Sequence, residues 1–368
     1  MDTLLKKLFG DFKLFSGKTN DSVVGVDIGS SAIKVVQIKK KGGKAVLETY
    51  GALSLGPYAD GGQVGQVTNL SAEKIATALA DVLKESGVTT KIAILSIPAS
   101  ASLIFTIELP PLALEKDFST IIPTEARKYI PVPINEVTLD WLVIPKRVEE
   151  ERVQSANEKT EVLVTAIHND TIAKYNEIFK LAALEPSPFE IEVFSAVRST
   201  FMHELGSVLL VDMGASKTKL TIVDRGIVKQ FHAIGRGAAD ITTMLATSLD
   251  MPFAKAEEMK QELGMAPGAT DQISESIRSS FDFILAEIAS VVLAYEKKYN
   301  KPISKIILSG GGALLPGFVD LARDRFRYDT VIANPFQKTE TPAFLEDVLA
   351  KIGPEFSVAI GLALRKLQ

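Results

Sequence analysis

Two stretches of the chain share one pattern of hydrophobic and polar positions. Residues 23–38 read VVGVDIGSSAIKVVQI, and residues 208–223 read VLLVDMGASKTKLTIV. In each stretch an apolar run predicts a strand, Asp-x-Gly with small polar residues predicts a turn, and a second apolar run predicts the returning strand. Aligned without a gap, the copies match at four pairs of positions: Asp27 with Asp212, Gly29 with Gly214, Ser31 with Ser216, and Lys34 with Lys219. Unrelated turns have no reason to share their flanking strands, so the pattern predicts a duplicated α/β fold with one hairpin in each half.

The pattern between the hairpins predicts an α/β first lobe that carries an inserted α+β subdomain. Ser71 is placed to cap a helix, and the apolar run at 91–97 predicts a buried strand of the first lobe. The insertion is predicted to hold strands at 102–109, 137–144 and 161–167, helices near 118–129 and 170–181, and a polar hairpin tip at 146–160.

The remaining pattern is mostly helical and belongs to the second half. Predicted elements are a connecting helix at 189–205, helices at 235–249, 252–263 and 273–299, a buried strand at 305–308, and a terminal helix at 354–367.

These elements divide the chain into six predicted segments. They are an amphipathic segment at 1–20, a first lobe at 21–101, an inserted subdomain at 102–184, a connecting helix at 185–206, a second lobe at 207–350 with a helical subdomain at 246–300, and a helix at 351–368 that returns to the first lobe. Leucine and phenylalanine recur at helical spacing in residues 1–20, with lysines among them. That segment is either a short helix folded back on the body or a helix that binds a membrane surface or a partner.

Composition narrows the class of protein. The chain has 368 residues, no cysteine, three histidines and a net charge of −4. Disulfides, thiolate metal sites and cysteine nucleophiles are excluded, a histidine-based metal cluster is not expected, and nucleic acid is not an expected partner. No apolar run approaches the roughly 18–20 residues that span a bilayer. We therefore expect a two-lobed cytoplasmic protein without a transmembrane segment.

Each hairpin turn is predicted to bind an anion. A tight turn that contains glycine gathers backbone N–H groups into a concave nest. The aspartate at the end of the preceding strand is placed to hold a hydrated divalent cation. Two such hairpins facing each other would clamp the phosphates of a nucleotide. Either turn alone is also typical of ordinary turn structure, so the prediction depends on the duplication.

A third candidate motif is LSGGGALLPGF at residues 308–318. Three consecutive glycines after a buried strand allow the backbone to approach a flat or charged ligand. They are also predicted to open a helix whose N-terminal N–H groups favour negative charge. A plain strand-to-helix turn is the alternative interpretation.

In this order the three motifs resemble those of the actin-like ATPase superfamily, which includes actin, the heat-shock chaperone ATPases, sugar kinases and FtsA. The resemblance covers residues 23–365. More narrowly, VDIGSSAIK at 26–34, EARKYIPVPINEVTLDW at 125–141 and IGRGAADIT at 234–242 resemble the PilM family of type IV pilus assembly proteins. The resemblance implies a two-lobed actin-like ATPase fold with duplicated RNase H-like halves and an FtsA-type inserted α+β subdomain.

The resemblance further implies a site for ATP and Mg²⁺. Asp27 and Asp212 would face the Mg²⁺, mostly through water. The phosphates would be contacted from one side by Gly29, Ser30, Ser31 and Lys34, and from the other by Gly214, Ala215, Ser216 and Lys217. The adenosine would lie against Gly310, Gly311 and Gly312, and Glu257 and Lys260 match the ribose and adenine contacts of the family. Two alternatives stay open: Lys34 as a solvated lysine, and Glu257 with Lys260 as a surface ion pair.

Catalytic residues are sparse in the sequence. Glu192 resembles the glutamate that the chaperone ATPases carry on the connecting helix, where a carboxylate orients water or reaches the metal shell. An exposed glutamate is the alternative interpretation. Arg236 lies between two glycines and is expected at the start of a helix, with stabilisation of phosphate charge as the alternative interpretation. We therefore predict at most weak ATPase activity.

The PilM resemblance implies a scaffold function with a peptide partner. The expected partner is the N-terminal cytoplasmic peptide of PilN, bound between the first lobe and the inserted subdomain near residues 129–134 and 102–109. Other platform proteins, the pilus motor ATPases and a second copy of the chain are further candidate partners. An FtsA-like filament protein of cell division and a sugar or metabolite kinase remain as alternative functions.

Overall fold

The fold is described from a computed structural model, in which residues 22–110, 117–144, 159–185, 188–202, 204–265 and 271–367 are described. The amphipathic segment at 1–20 and most of the polar stretch at 146–160 lie outside these residues.

The first five-stranded sheet is built around the first hairpin. Its strands are β1 (Ser22–Ile28), β2 (Ala32–Lys41), β3 (Lys44–Ser54), β4 (Ala93–Ile97) and β8 (Glu190–Ile191), in the order β3-β2-β1-β4-β8. The strands β1, β2 and β3 are antiparallel, whereas β4 runs parallel to β1 and β8 runs parallel to β4. Every residue of β1 is buried, as expected for a central strand covered on both faces.

The second five-stranded sheet repeats this topology around the second hairpin. Its strands are β9 (Ser207–Met213), β10 (Thr218–Asp224), β11 (Ile227–Ile234), β12 (Ile303–Ser309) and β13 (Asp329–Ile332), in the order β11-β10-β9-β12-β13. The strand directions also correspond to those of the first sheet. The predicted duplication is therefore confirmed at the level of topology.

A separate three-stranded antiparallel sheet lies in the insertion. It contains β5 (Ser102–Leu109), β6 (Val137–Val143) and β7 (Thr160–His168), in the order β5-β7-β6.

The helices cover the faces of the three sheets. They are α1 (Ala72–Glu85), α2 (Phe118–Ala126), α3 (Asn169–Leu181), α4 (Glu192–Thr200), α5 (Ala238–Ser248), α6 (Phe253–Glu262), α7 (Asp271–Tyr299), α8 (Phe318–Phe326), α9 (Glu346–Ile352) and α10 (Ser357–Arg365). Of the helices in the described ranges, none combines the length and apolar character that a bilayer crossing requires. The predicted cap of α1 is confirmed, because the Ser71 hydroxyl accepts a hydrogen bond from the Lys74 N–H.

The structure corrects the assignment of α3 to the inserted subdomain. The buried residues Tyr175, Ile178 and Phe179 of α3 belong to the same core as Ile75 and Leu79 of α1. The compact body of the insertion therefore ends near the end of β7, because the apolar face of α3 is buried on the first lobe.

The connecting helix is shorter than the predicted 189–205. Residues Glu190 and Ile191 pair with β4 as a short parallel strand, and only then does α4 begin. The helix ends before Phe201, which is extended. The spacing of apolar residues is a local signal. It does not reveal that the first residues of the predicted helix pair with a strand almost a hundred residues earlier in the chain.

The terminal helix α10 returns to the first lobe, as predicted, and packs very closely there. A side chain at Gly25 of β1 would place its Cβ 1.9 Å from the Ala359 carbonyl oxygen, and one at Gly361 would place it 1.9 Å from the Ser195 carbonyl oxygen. The helix thus lies between β1 and α4, and glycine at both contacts permits the close approach.

Candidate functional site

A cavity of about 320 Å³ lies between the two lobes, with both hairpin turns in its walls. It brings together all but three of the predicted site residues: Asp27, Gly29, Ser30, Ser31, Lys34, Glu192, Asp212, Gly214, Ala215, Ser216, Lys217, Gly310 and Gly311. Its volume lies within the usual range for small-molecule sites, roughly 300–1,000 Å³.

The two turns share the same internal hydrogen bond. The Gly29 N–H donates to the Ala32 carbonyl at 3.0 Å, and the Gly214 N–H donates to the Lys217 carbonyl at 3.0 Å. The sequence repeat is therefore also a repeat of backbone geometry.

The loop between β3 and α1 donates backbone hydrogen bonds to the carbonyl groups of the first turn. The Ser30 oxygen accepts from the Thr68 N–H and the Ser31 oxygen accepts from the Leu55 N–H, both at 2.8 Å. In a trans peptide unit the N–H points opposite to the C=O. The N–H groups of Ser31 and Ala32 therefore point away from that loop, as an anion-binding nest requires.

The second turn is held in the same way by the start of α5. The oxygens of Gly214 and Ala215 accept from the N–H groups of Ala238 and Ala239, both at 2.9 Å. A side chain at Gly237 would lie 2.4 Å from the Ala215 oxygen, so the glycine of the IGRGAAD stretch permits this contact. The Arg236 guanidinium lies over the ring of Phe283, 4.7 Å from its centroid.

The Asp27 carboxylate is buried at the end of β1. Its Oδ1 accepts a hydrogen bond from the Ser96 hydroxyl at 3.0 Å. Burial raises the pKa of Asp27 to about 6, opposed by the charge of Lys34 and reinforced by the charge of Glu192. A buried carboxylate that is incompletely compensated favours a cation beside it.

Lys219 connects the second hairpin to the connecting helix. Its ammonium lies 2.8 Å from Oδ2 of Asp212 and 2.7 Å from Oε2 of Glu192. Burial alone would lower the pKa of Lys219, but the two carboxylates outweigh burial and hold the pKa above its ordinary value. The sequence repeat pairs Lys219 with Lys34, yet the sequence alone did not single out Lys219 as a site residue. The repeat could have identified it, because Lys219 follows Asp212 at the same spacing at which Lys34 follows Asp27.

Glu192 bridges the two lobes. Its second oxygen, Oε1, accepts from the Ala99 N–H at 2.7 Å, directly before β5 of the inserted subdomain. Glu192 is therefore not an exposed glutamate: its side chain is only 12% exposed and connects α4, the second hairpin and the base of the insertion.

Gly310 and Gly311 of the glycine run lie in the wall of the cavity, but the run does not open a helix. Residues Gly311–Leu314 form a single 3₁₀ turn, and α8 begins only at Phe318. Gly310 has a φ of 79°, and a Cβ there would lie 2.5 Å from the Asp212 carboxylate. The run is therefore shaped by the close approach of the second hairpin.

Three predicted residues do not line the cavity. Gly312 is buried against Met213, where a Cβ would lie 2.4 Å from Cγ. Glu257 and Lys260 of α6 form an ion pair at 2.7 Å, and both also contact the Thr242 hydroxyl. The Lys260 ammonium lowers the pKa of the half-buried Glu257. Contact of these residues with a nucleotide remains a prediction.

Other residues complete the lining without any motif in the sequence. They include Thr68, Asn69, Lys174, Tyr175, Glu355 and Ser357. These side chains come from loops and helices distant in sequence, so only the fold places them.

The donors present fit a Mg²⁺ ion bound mainly by the nucleotide. The described residues contain no group of three or more side chains with metal-ligand geometry. Mg²⁺ usually keeps several waters and binds through one or two carboxylates plus substrate phosphates. Asp27 and Asp212 would supply those carboxylates, and the ion would neutralise charge on the phosphates.

A second surface feature lies on the inserted subdomain. Leu103 and Leu139 flank Ala166, and Phe105 and Trp141 flank Val164, in two adjacent rows across the three-stranded sheet. The four leucine and aromatic side chains of these rows are half-buried. They lie toward the end of the sheet at which β5 begins, next to the first lobe. Tyr129 stacks on Phe105 at 5.2 Å and is 54% exposed. All of these residues except Tyr129 also pack on the core of the insertion. We use the name apolar groove for this partly exposed set, Leu103, Phe105, Tyr129, Leu139 and Trp141.

The duplicated sheets, the twin hairpins and the glycine wall define a protein of the actin-like ATPase fold. The family described as type IV pilus assembly protein PilM matches residues 25–367, and the chain belongs to this family. Its resemblance to PilM at the level of sequence motifs is thereby confirmed.

Solved structures agree with this fold. A chain of a PilM-PilN type IV pilus biogenesis complex superimposes with a TM-score of 0.79 at 23% identity, covering 94% of this chain and 98% of that one. MreB5 of Spiroplasma citri bound to AMPPNP superimposes with a TM-score of 0.52 at 12% identity, covering 94% and 96%. At these identities the likeness shows the fold alone.

Curated relatives match part of the chain only. Cell division protein FtsA of Helicobacter pylori strain 26695 is 26% identical over 239 residues, which are 56% of this chain and 48% of the relative. The chain spans about half the length of the curated relatives it matches.

Proposed function

We propose that the protein is a Mg-ATP-binding scaffold of the type IV pilus assembly platform at the cytoplasmic face of the inner membrane. The proposal of nucleotide binding rests on the pair of matched turns, which line the same cavity. In each turn the carbonyl groups accept hydrogen bonds from a neighbouring segment of backbone. That arrangement supplies N–H donors from two sides, and phosphate groups are the ligands that such nests favour.

Charged side chains would add to these backbone contacts. Lys34 and Lys217 line the cavity and would neutralise phosphate charge, while Asp27 and Asp212 would hold the Mg²⁺. Gly310 and Gly311 leave room for the nucleoside beside the second hairpin. Bound in this way, ATP would connect the two lobes.

We expect hydrolysis to be slow or absent. Glu192 is the candidate for orienting water, but both of its oxygens are engaged, one by Lys219 and one by the Ala99 N–H. A carboxylate whose two oxygens already accept hydrogen bonds is less available to orient an attacking water. ATP would then serve to hold a conformation rather than to drive turnover.

The partner part of the proposal is an extended peptide in the apolar groove. Membership of the PilM family, together with the likeness to a chain of a solved PilM-PilN complex, supports the PilN N-terminal cytoplasmic peptide as that partner. Half-buried aromatic and leucine side chains beside the edge strands β5 and β6 suit a peptide that docks apolar residues and adds main-chain hydrogen bonds.

The test is equilibrium binding of a fluorescent PilN N-terminal peptide, with and without Mg-ATP. Tyr129→Ala should weaken binding about tenfold or more, because aromatic anchors commonly contribute 2 kcal/mol or more. The matched control is Phe344→Ala, since Phe344 is 82% exposed and lies outside the inserted subdomain. A peptide that binds Tyr129→Ala as tightly as the wild type would contradict the assignment of the groove.

A further inference from the structure

Part of the cavity wall comes from α3, a helix without any phosphate-binding motif. Lys174 and Tyr175 of this helix line the cavity together with the first turn. Tyr175 is buried in the core of the first lobe, whereas the Lys174 side chain is only partly buried. Burial raises the pKa of Tyr175, and the charges of Glu192 and Asp27 raise it further. This part of α3 therefore lies near these two carboxylates, on the first-lobe side of the cavity.

The Lys174 ammonium lies against the segment that supports the first turn. It donates a hydrogen bond to the Leu70 carbonyl at 3.2 Å. Two residues earlier, the N–H and the hydroxyl of Thr68 both donate to the Ser30 carbonyl, at 2.8 and 3.1 Å. Thr68 and Leu70 also line the cavity. The ammonium is thus anchored close to the first turn, which is one of the two proposed phosphate nests.

The charge of Lys174 is not compensated by a carboxylate. No ion pair of Lys174 is found among the described residues, and the carbonyl that it contacts carries no net charge. Lys219, by contrast, is held between Asp212 and Glu192. A negatively charged phosphate oxygen is a stronger acceptor for an ammonium than a neutral carbonyl is. Lys174 is therefore a cation of the cavity wall that a phosphate group can recruit.

The position of Lys174 also separates it from the residues proposed for the nucleoside. Gly310 and Gly311 lie beside the second hairpin, where a Cβ at Gly310 would be 2.5 Å from the Asp212 carboxylate. Lys174 lies instead beside the segment that supports the first turn. A nucleoside against the two glycines would extend its phosphate chain toward the turns, and the last phosphate of the chain would reach furthest toward α3.

We propose that Lys174 binds the terminal phosphate of ATP and thereby makes the cavity prefer ATP to ADP, an inference that rests on the proposed nucleotide site. The ammonium would turn from the Leu70 carbonyl to a phosphate oxygen, or share its N–H groups between the two. ADP lacks this phosphate, so Lys174 would stay on the Leu70 carbonyl when ADP is bound.

The test compares equilibrium binding of ADP and of a non-hydrolysable ATP analogue to the full chain, both with Mg²⁺. Lys174→Met removes the charge but keeps most of the side-chain length. It should weaken binding of the ATP analogue about tenfold or more, and binding of ADP by less than about threefold, because hydrogen bonds to charged groups contribute roughly 10- to 150-fold in affinity. Lys180→Met is the matched control, since Lys180 is an exposed lysine of the same helix. It should leave both affinities within about twofold of the wild type.

A purely structural role of Lys174 predicts a different result. If the lysine only held the Leu70 carbonyl in place, its loss would disturb the first turn and weaken both nucleotides alike. Lys174→Gln is a second variant, because glutamine keeps N–H donors but carries no charge. It should show the same selective loss of the ATP analogue. Urea denaturation of each variant checks that the fold is retained.

Two outcomes would overturn the assignment of Lys174 while the wild type still binds Mg-nucleotide. One is an equal loss of both nucleotides in the Lys174 variants, and the other is a wild-type preference for the ATP analogue in either variant. A wild-type chain that binds neither nucleotide would instead contradict the proposed nucleotide site itself, and the role of Lys174 with it.

Discussion

At the scale of single residues, acidic and basic side chains together line the cavity. Asp27, Asp212, Glu192 and Glu355 bring four carboxylates to its walls, against four ammonium groups, those of Lys34, Lys174, Lys217 and Lys219. Isolated charges are expensive to bury, and each is tolerated only with a partner. Because the two signs are matched in number, a divalent cation is expected to enter together with the phosphate groups whose charge it neutralises.

Asp27 should make stability depend on pH. Its pKa is raised from 3.8 to about 6 by burial, so the folded protein binds this proton more tightly than the unfolded chain does. Stability should therefore fall as pH rises from about 4 through about 6 and then level off. Asp27→Asn should flatten this part of the curve.

The measurement is the free energy of unfolding by urea across that pH range. Asp140, whose pKa burial also raises to about 6, remains in both proteins and cancels in the comparison. Identical pH curves for the wild type and Asp27→Asn would contradict the assignment.

Lys219 should be the cation that stabilises the cavity in the absence of nucleotide. Replacing it with methionine leaves two carboxylates without their partner, and breaking a buried ion pair costs about 3–5 kcal/mol. Added Mg²⁺ should recover part of this loss, because a divalent cation can compensate the same carboxylates. Lys217→Met is the control, since no ion pair of Lys217 is found among the described residues, and it should cost less than about 1 kcal/mol. Urea denaturation with and without Mg²⁺ is the measurement, and equal costs for the two variants would refute this role.

The sequence predicted the cavity residues that belong to the repeat, but it predicted few of the contacts that other residues make. Asp27 and Asp212 were found because a duplicated pattern is visible without a structure. The partners of Glu192 were not, because Ala99 and Lys219 lie on separate elements that only the fold brings together. For Glu257 and Lys260, the sequence indicated a pair on one helix face, and the structure shows their ion pair. Their position relative to the cavity depends on the packing of α5 and α6, which the sequence does not show.

At the scale of elements, close backbone packing fixes the first lobe. The helix α10 touches β1 at Gly25 and α4 at Gly361, with no space for a Cβ at either point. Since α4 carries Glu192 and β1 carries Asp27, this packing also sets the position of two cavity residues.

Gly361→Ala should therefore destabilise the fold. Its Cβ would meet the Ser195 carbonyl at 1.9 Å, and overpacking of this kind costs about 1–3 kcal/mol or more. Gly235→Ala is the matched control, because nothing lies within 4 Å of a Cβ there. Chemical denaturation compares the two, and equal stability would contradict the packing described for α10.

Element types were predicted well where periodicity was strong, and boundaries less well. The strand at 102–109 was predicted with the observed bounds, because its alternation is regular. The glycine run was wrongly predicted to open a helix. Its backbone follows the close contacts of Gly310 with Asp212 and of Gly312 with Met213, which are long-range and invisible in a local pattern.

At the scale of the whole molecule, a loop contact also connects the two lobes. The loop between β3 and α1 reaches the second lobe, where the Gln63 side chain accepts a hydrogen bond from the Ala254 N–H at 3.1 Å. A ligand between the lobes would therefore be held by both halves at once. The sequence predicted the two halves but not this contact, because the loop has no periodic pattern.

The central claim is that both hairpins grip one Mg-nucleotide together. The most direct measurement is equilibrium binding of a fluorescent ATP analogue with Mg²⁺ at a pH well above 6, for the wild type, Asp27→Asn, Asp212→Asn and the exposed control Asp324→Asn. Interactions with charged groups contribute about 1.5–3 kcal/mol, so each hairpin variant should lose roughly 10- to 150-fold in affinity. The control should bind as the wild type does. Wild-type affinity in either hairpin variant would contradict the claim that the two turns act on the same ligand.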